Sequence, residues 1–212
     1  METPRSHAAD DNKLIWRVAE AAIVLLVTVG TLAIILNQNI KPTTRAASAA
    51  SSASSTTTHV ALDIMPVKPG GPTEDWPAYM ASTPLTVPAN SLVTVTIRNF
   101  DLGDAALAPN SPLAKVQGTV DGSASVDGRA YAALDPAKVS HTFTIPQLKL
   151  NVPIPGDAAN DASYLTVTFS FHTGKAGTYT FECLAPCGTD SSGFGGPMTT
   201  MGYMKGTLTV QG

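Results

Sequence analysis

The chain has 212 residues and a formal net charge of −3 at pH 7. This charge gives no electrostatic reason to expect a nucleic-acid partner, because domains that bind nucleic acids are usually basic. Charged residues make up only 14 % of the chain, whereas glycine (17) and proline (16) are abundant. Such a composition is typical of many short strands joined by turns, and it indicates an all-β domain.

An apolar segment near the N-terminus predicts one transmembrane helix over 18–38. The sequence carries no charge from 21 to 36, and the whole segment is long enough to cross the hydrocarbon core of a bilayer. Trp16 and Arg17 stand where an interfacial aromatic ring and a cation are expected. The segment is longer than the apolar core of most cleaved signal peptides, which favours an uncleaved signal-anchor. Cleavage at the small residues 46–49 is the alternative.

The rest of the domain organisation follows from this anchor. Residues 1–17 are a short cytoplasmic N-terminus, and 39–58 are a linker rich in Ser, Ala and Thr that has no large apolar side chains to bury. The folded domain covers 59–212. Cationic residues are almost balanced on the two sides of the span, so the length of the C-terminal segment decides the orientation. We expect a single-pass protein of the cell membrane whose domain is extracytoplasmic.

Strand signals recur through the C-terminal domain. Residues 92–98 alternate in such a way that Val93, Val95 and Ile97 share one face, which is the predicted core face. Further strand patterns lie at 60–65, 116–126, 165–172, 178–183 and 207–210. Turn signals stand at Asp121-Gly122, at Asp127-Gly128 and at 175–177, after which 178–183 is expected to run antiparallel to 165–172. These patterns predict a β-sandwich or barrel.

Three stretches of the sequence resemble cupredoxins. Residues 86–101 are similar to the early core strands of that superfamily, and 140–143, which contain His141, are similar to the strand that carries its first copper histidine. Residues 176–183 are similar to the strand that ends at the copper cysteine. The resemblance covers most of 60–212, and it implies a cupredoxin-like Greek-key β-sandwich with a copper site at one pole.

The cysteine spacing narrows this resemblance. Cys183 and Cys187 are separated by three residues and followed by Gly188, as in the dinuclear copper (CuA) domain of cytochrome c oxidase subunit II. That subunit also occurs in a form with a single N-terminal span. The resemblance implies that five side chains at one pole bind the metal: His141, Cys183, Cys187, Met201 and Met204.

Two departures from the CuA pattern weaken the prediction of a dinuclear centre. Met204 precedes Gly206 by two residues, as the methionine of the family does, but Met201 stands where the family has its second histidine. The loop before Met201 is longer than in the family and holds another methionine, Met198, which alone is weak evidence because methionines often fill gaps in cores. Thiolates and thioethers favour copper, so the expectation is one copper ion with His141 as its imidazole ligand.

The remaining histidines are poor candidates for a second imidazole ligand. His172 precedes the turn at 175–177, and the next strand separates that turn from Cys183 by about 20 Å. His59 stands at the start of the domain, beside the linker. The sequence therefore predicts a site that is short of imidazole.

Two functions stay open. The first is a copper protein that transfers single electrons or handles copper near a respiratory complex, with a redox protein or a respiratory oxidase as its partner. The alternative is a metal-free structural or assembly subunit in which Cys183 and Cys187 form a disulfide, as thiols do in oxidising compartments. No catalytic triad, phosphate loop or histidine-rich centre is visible in the sequence. We therefore predict no enzyme, no catalytic residue and no small-molecule substrate.

The long insertion at 102–139 is expected either to cover the site or to form a docking surface.

Overall fold

The structure, a computed structural model, describes residues 57–71, 76–156 and 162–212. All of them belong to one unit that runs from Ala53 to Gly212. Across these described ranges, no helix has both the length and the apolar character needed to cross a membrane. The predicted anchor at 18–38 and most of the predicted linker lie outside the described residues.

The described residues form eleven strands and four short 3-10 helices. The strands are β1 Thr58–Met65, β2 Ala78–Met80, β3 Leu85–Pro88, β4 Leu92–Asn99, β5 Ala124–Val126, β6 Arg129–Tyr131, β7 Val139–Ile145, β8 Leu150–Pro155, β9 Leu165–His172, β10 Gly177–Glu182 and β11 Lys205–Gln211. The 3-10 helices are Pro112–Ala114, Pro136–Lys138, Pro146–Leu148 and Gly196–Met198. The predicted all-β fold class is confirmed for this part of the chain.

The strands form two sheets that pack on each other. One sheet has the order β2-β1-β4-β9-β5-β6, and the other has the order β3-β11-β10-β7-β8. Side chains from both sheets meet in one apolar core, where the rings of Phe143 in β7 and Phe169 in β9 lie 5.5 Å apart between centroids. This is the sandwich that the cupredoxin resemblance implies.

Strand β4 shows why the sequence folds in this way. It pairs with β1 on one side and with β9 on the other, so it is a central strand of its sheet. Val93, Val95 and Ile97 are at most 2 % exposed, whereas Arg98 points to solvent. Since side chains in a strand alternate between the two faces, apolar residues at every second position bury one face of β4 in the core. The predicted core face is confirmed.

The turn at 175–177 does not form the hairpin that the sequence suggested. The chain does reverse there, but β10 pairs with β11 and β7 in the five-stranded sheet, while β9 belongs to the six-stranded sheet. Both edges of β9 are already paired, with β4 and with β5, so β10 has no free edge of β9 to join. The turn therefore carries the chain from one sheet to the other.

The insertion at 102–139 is largely folded into the domain. Its strand β5 pairs with β9 and extends the six-stranded sheet, and the Asp127-Gly128 turn joins β5 to β6 with φ values of 46° and 79°. Positive φ at both central residues is what a type I′ hairpin requires. The predicted strand at 116–126 is shorter than expected, because only its last three residues are a strand.

An aromatic cluster supports the end of the sandwich that carries the cysteines. The rings of Phe143 and Phe181 stack with centroids 5.3 Å apart, and Tyr79 meets each of them edge-on. Such pairs contribute about 0.5–1.5 kcal/mol each beyond the burial of their surface. Phe181 lies opposite Gly206 in the β10–β11 pair, so the ring covers a residue that has no side chain.

We expect Gly206→Ala to destabilise the domain by about 1–3 kcal/mol, the usual effect of forcing an extra methyl group into a packed core. A Cβ atom at this position would collide with the ring of Phe181, which would have to leave its stack on Phe143. Urea unfolding of the full chain measures the change. Thr207→Val is the control, because Thr207 is exposed on the same strand and should shift stability by no more than about 0.5 kcal/mol. An unchanged midpoint for Gly206→Ala would contradict the packing described here.

Candidate metal centre

Two neighbouring strands bring an imidazole and a thiol together. His141 lies in β7, and Cys183 directly follows β10, its partner in the five-stranded sheet. His141 Nδ1 lies 3.9 Å from Cys183 Sγ. The two residues are only 1 % and 2 % exposed, so the pair is buried at the end of the sandwich. The pairing of β7 with β8 shifts register between Val139 and His141, and such irregularities re-aim side chains locally.

Thr142 fixes the position of the Cys183 sulfur. Its backbone N–H donates to Cys183 Sγ at 3.4 Å, and its hydroxyl accepts the N–H of Leu184 at 2.8 Å. The carbonyl of Thr142 in turn accepts the hydroxyl of Tyr79 at 2.5 Å. Thr142 therefore binds both the Cys183 sulfur and the next residue of the chain, and these contacts hold the sulfur beside β7.

The local charges favour a thiolate at Cys183. Burial alone would raise its pKa, but the thiol of Cys187, the imidazole of His141 and the N–H of Thr142 outweigh burial, and together they hold the pKa well below its usual value. Hydrogen bonds and a nearby cation stabilise the charged form of a thiol in this way. A thiolate is the form of cysteine that binds metals.

Cys187 completes a row of three sulfur atoms. Its Sγ lies 3.3 Å from Cys183 Sγ and 3.1 Å from Met198 Sδ. The turn between the two cysteines is closed by the Cys187 N–H, which donates to the Ala185 carbonyl at 2.8 Å. Both cysteines are free in this structure. The hydrogen bond to Cys183, together with burial, raises the pKa of Cys187, in contrast to the lowered pKa of Cys183.

The long loop after Cys187 is ordered by its own hydrogen bonds. The Asp190 carboxylate accepts the N–H groups of Ser192 and Phe194, and the N–H of Gly188 donates to the Gly193 carbonyl at 2.6 Å. The following 3-10 helix, Gly196–Met198, then directs Met198 toward the sulfur pair. The extra length of this loop is therefore what delivers a thioether to the site.

The three late methionines lie in different surroundings. Met198 is 8 % exposed and contacts Cys187, whereas Met201 is 56 % exposed and its Sδ lies 4.0 Å from Thr207 Oγ1. Met204 is fully buried in the core, and its carbonyl accepts the N–H of Cys183 at 2.9 Å. The structure therefore brings Met198 to the thiols where the sequence suggested Met201, while Met204 borders the site through its backbone.

Met201 points away for a local reason. The chain turns between Met201 and Lys205, where the Gly202 N–H donates to the Lys205 carbonyl at 2.7 Å and Gly202 has a φ of 85°. This turn leads directly into β11, and it places Met201 on the solvent side. Met204 lies at the end of the same turn, directly before β11, and counting along the sequence cannot follow a chain through such a turn.

The other described histidines lie away from this cluster. His172 is exposed and pairs with Leu92 at the start of β4, and His59 is exposed beside Thr94. The opposite end of β4, at Asn99, is the end nearest the site, and an eight-residue strand is about 26 Å long. Within the described ranges, the site therefore has one imidazole, as the sequence predicted.

The donor atoms fit a single metal ion. The ligand atoms of His141, Cys183 and Cys187 all lie within 4.8 Å of one another. Nitrogen and sulfur donors bound tetrahedrally at about 2.0–2.3 Å from a metal are separated by about 3.5–3.8 Å, close to the distances seen here. One imidazole, two thiols and a thioether from Met198 form a soft donor set that suits copper.

A cavity of about 280 Å³ opens beside the cluster, and Asp101, Asp104, His141 and Cys187 are among the residues that line it. The Asp101 carboxylate lies 3.1 Å from His141 Nε2, the ring nitrogen that faces away from Cys183. Burial lowers the pKa of His141, but the contacts with Asp101 and Cys183 outweigh burial and raise the pKa to about 9. No sequence pattern indicated this contact, because Asp101 and His141 are distant in the chain.

Comparisons with known proteins give distant structural similarities. No protein-family model and no curated protein matches the sequence. The structure is similar to rusticyanin, described as a copper protein, with 18 % identity, a TM-score of 0.34, and 73 % of this chain and 78 % of that chain covered. A rusticyanin from Thiobacillus ferrooxidans is 17 % identical with a TM-score of 0.34, and the match covers 73 % of this chain and 77 % of that chain. Auracyanin B is 16 % identical with a TM-score of 0.32, and the match covers 73 % of this chain and 89 % of that chain. Structures this distant carry no argument about function. The function proposed below therefore rests on the donor atoms of this chain.

We expect Met198→Leu to weaken Cu(I) binding by about tenfold, which corresponds to about 1.4 kcal/mol, because it removes a thioether but keeps the side-chain volume. Competition with a Cu(I) chelator under reducing conditions measures the affinity of the full chain. Met201→Leu is the matched control, and its affinity should equal that of the unmodified chain. A loss in Met201→Leu with none in Met198→Leu would restore the ligand set that the sequence suggested.

Proposed function

We propose that this chain is a membrane-anchored, extracytoplasmic, cupredoxin-like protein that binds one copper ion and transfers single electrons. The observation behind this proposal is the buried convergence of His141 Nδ1, two cysteine sulfurs and the sulfur of Met198 at one end of a β-sandwich.

Each residue would have a defined part in this function. Copper would supply a couple between Cu(I) and Cu(II), which exchanges one electron. Copper binding would displace the thiol proton of Cys187, so that Cys183 and Cys187 would both supply negative charge, while His141 would supply a nitrogen donor and Met198 a soft, neutral sulfur. The sandwich buries His141, Cys183 and Met198 and holds these donors in place. Donors that stay in place need little rearrangement when the charge on the site changes by one.

Burial favours electron transfer over copper handling. A protein that passes copper to a partner must expose its ligands, whereas His141, Cys183 and Met198 are each at most 8 % exposed. Electrons, in contrast, do not require the ligands to leave the core. Cys187 is the more accessible cysteine and borders the cavity, so copper handling remains the second form of this proposal.

The resemblance to the CuA domain of cytochrome c oxidase subunit II is part of this proposal, except that we propose one copper ion instead of two. The Cys183–Cys187 spacing and the predicted anchor at 18–38 support a place near a respiratory complex, with an oxidase or another redox protein as the partner. A dinuclear centre ordinarily uses one imidazole for each metal, and among the residues that the structure describes His141 alone brings an imidazole to this site. We therefore propose a mononuclear site in a protein of this type.

A metal-free subunit is the alternative function. Cys183 Sγ and Cys187 Sγ are only 3.3 Å apart, so oxidation could join them without a large movement of the chain. A disulfide would remove both thiolates from the metal site and leave a rigid cap on the sandwich. The chain would then serve as a structural or assembly subunit of a membrane complex.

The copper proposal predicts about one copper ion per chain in the full-length protein purified in detergent with reductant. After oxidation, Cys183→Ser should remove the thiolate-to-copper absorption band, because the most buried thiolate is lost. Metal analysis and visible absorption are the measurements. His172→Gln is the control and should keep both the copper and the band, because His172 ends β9 opposite Leu92, at the end of β4 that lies away from the site.

Copper-free chains that carry a stoichiometric Cys183–Cys187 disulfide in native membranes would instead support the structural subunit. Mass spectrometry of alkylated membranes distinguishes the two functions, because free thiols are alkylated and a disulfide is not.

The anchor and its orientation give a separate prediction. The full chain should stay in membranes after carbonate extraction, because an apolar helix over 18–38 holds it there. A protease added outside intact cells or spheroplasts should digest the C-terminal domain. Protection of the domain until the membrane is broken would place it in the cytoplasm and contradict the proposed localisation.

A further inference from the structure

The carboxylate of Asp101 contacts the proposed imidazole ligand on the side away from the sulfurs. Asp101 Oδ2 lies 3.1 Å from His141 Nε2, while His141 Nδ1 faces Cys183 Sγ at 3.9 Å. The imidazole side chain is 1 % exposed and that of Asp101 is 26 % exposed. The imidazole is therefore held between a carboxylate at one nitrogen and the cysteine sulfurs at the other.

Asp101 is itself held in place by the two sheets. Its N–H donates to Asn99 Oδ1 at 3.1 Å, and its carbonyl accepts the hydroxyl of Ser140 at 2.8 Å. Asn99 is fully buried, and its amide donates to the Pro155 carbonyl at 3.1 Å. These bonds tie the end of β4 to β7 and β8, so the backbone that carries the Asp101 carboxylate is fixed relative to β7, which carries the imidazole.

We propose that Asp101 is a positioning residue for the metal site: it accepts a hydrogen bond from His141 Nε2–H, which fixes Nδ1 as the donor atom and strengthens that donor toward copper. This inference rests on the copper function proposed above. Histidines that bind metals commonly donate their other N–H to a carboxylate or carbonyl, and this bond raises the basicity of the ligand. The carboxylate would thus favour Cu(II), whereas the sulfur donors favour Cu(I).

Asp104 offers a control for the charge of Asp101. It lines the same cavity, and its side chain has the same 26 % exposure. Its carboxylate pairs with Lys138 at 3.9 Å, whereas that of Asp101 faces the imidazole. Asp104→Asn therefore removes one negative charge beside the site and leaves the contact with Nε2 in place. Asp101→Asn removes one charge and replaces the accepting carboxylate by an amide of the same shape.

The copper-loaded full chain in detergent gives the first test. Reduction potentials should rise in Asp101→Asn and by clearly less in Asp104→Asn, because only the first variant weakens the imidazole donor. Cu(II) affinity should fall by about 10–100-fold in Asp101→Asn, the usual effect of losing such a partner. Equal shifts in the two variants would overturn the proposal, since they would reflect charge near the site rather than the hydrogen bond.

A second test needs no copper. In the metal-free full chain labelled with ¹⁵N-histidine, the Nε2–H proton of His141 should give a slowly exchanging, downfield NMR signal. The signal should move upfield in Asp101→Asn and stay in place in Asp104→Asn. Absence of such a signal in the unmodified chain would overturn the role of Asp101, even if Asp101→Asn does not fold. If the signal is present but the chain binds no copper, the copper function fails while the contact between Asp101 and His141 stands.

Discussion

The candidate site depends on the place where β7 meets the end of β10. Thr142 in β7 holds the two residues that follow β10. Its N–H donates to the sulfur of Cys183, and its hydroxyl accepts the N–H of Leu184. Its neighbour His141 therefore faces the thiol from within the core. The aromatic cluster beneath, with Phe143 stacked on Phe181, keeps the two strands at a fixed spacing. Without this junction, the cysteine turn would be an ordinary surface loop.

The strong period-2 patterns predicted the central strands well. Alternation of β-branched residues with polar residues identified β4 and its core face, and a turn signal located the β5–β6 hairpin. The pairing of β10 was less predictable from sequence, because the turn at 175–177 looks the same whether the next strand stays in the sheet or crosses to the other one. Pairing is decided by which strand edges remain free, and no local pattern contains that information.

The resemblance to cupredoxins predicted part of the candidate site. The resemblance named His141, Cys183 and Cys187, and the structure brings these three together. Met198 and Asp101 were not predicted as part of the site, since the first is delivered by a glycine-rich loop and the second by a contact between distant parts of the chain. Loop conformation and tertiary contacts determine both positions.

We propose that the site binds one copper ion through one nitrogen and several sulfurs. X-ray absorption at the copper K-edge, on the full chain loaded under reducing conditions, distinguishes this site from a dinuclear one. We expect one nitrogen scatterer at about 2.0 Å and two or three sulfur scatterers at about 2.3 Å, as N/S ligation of a first-row metal gives, with no second copper nearby. A copper–copper distance in the spectrum would contradict the mononuclear site. A shell made only of nitrogen and oxygen would contradict the role of the cysteines.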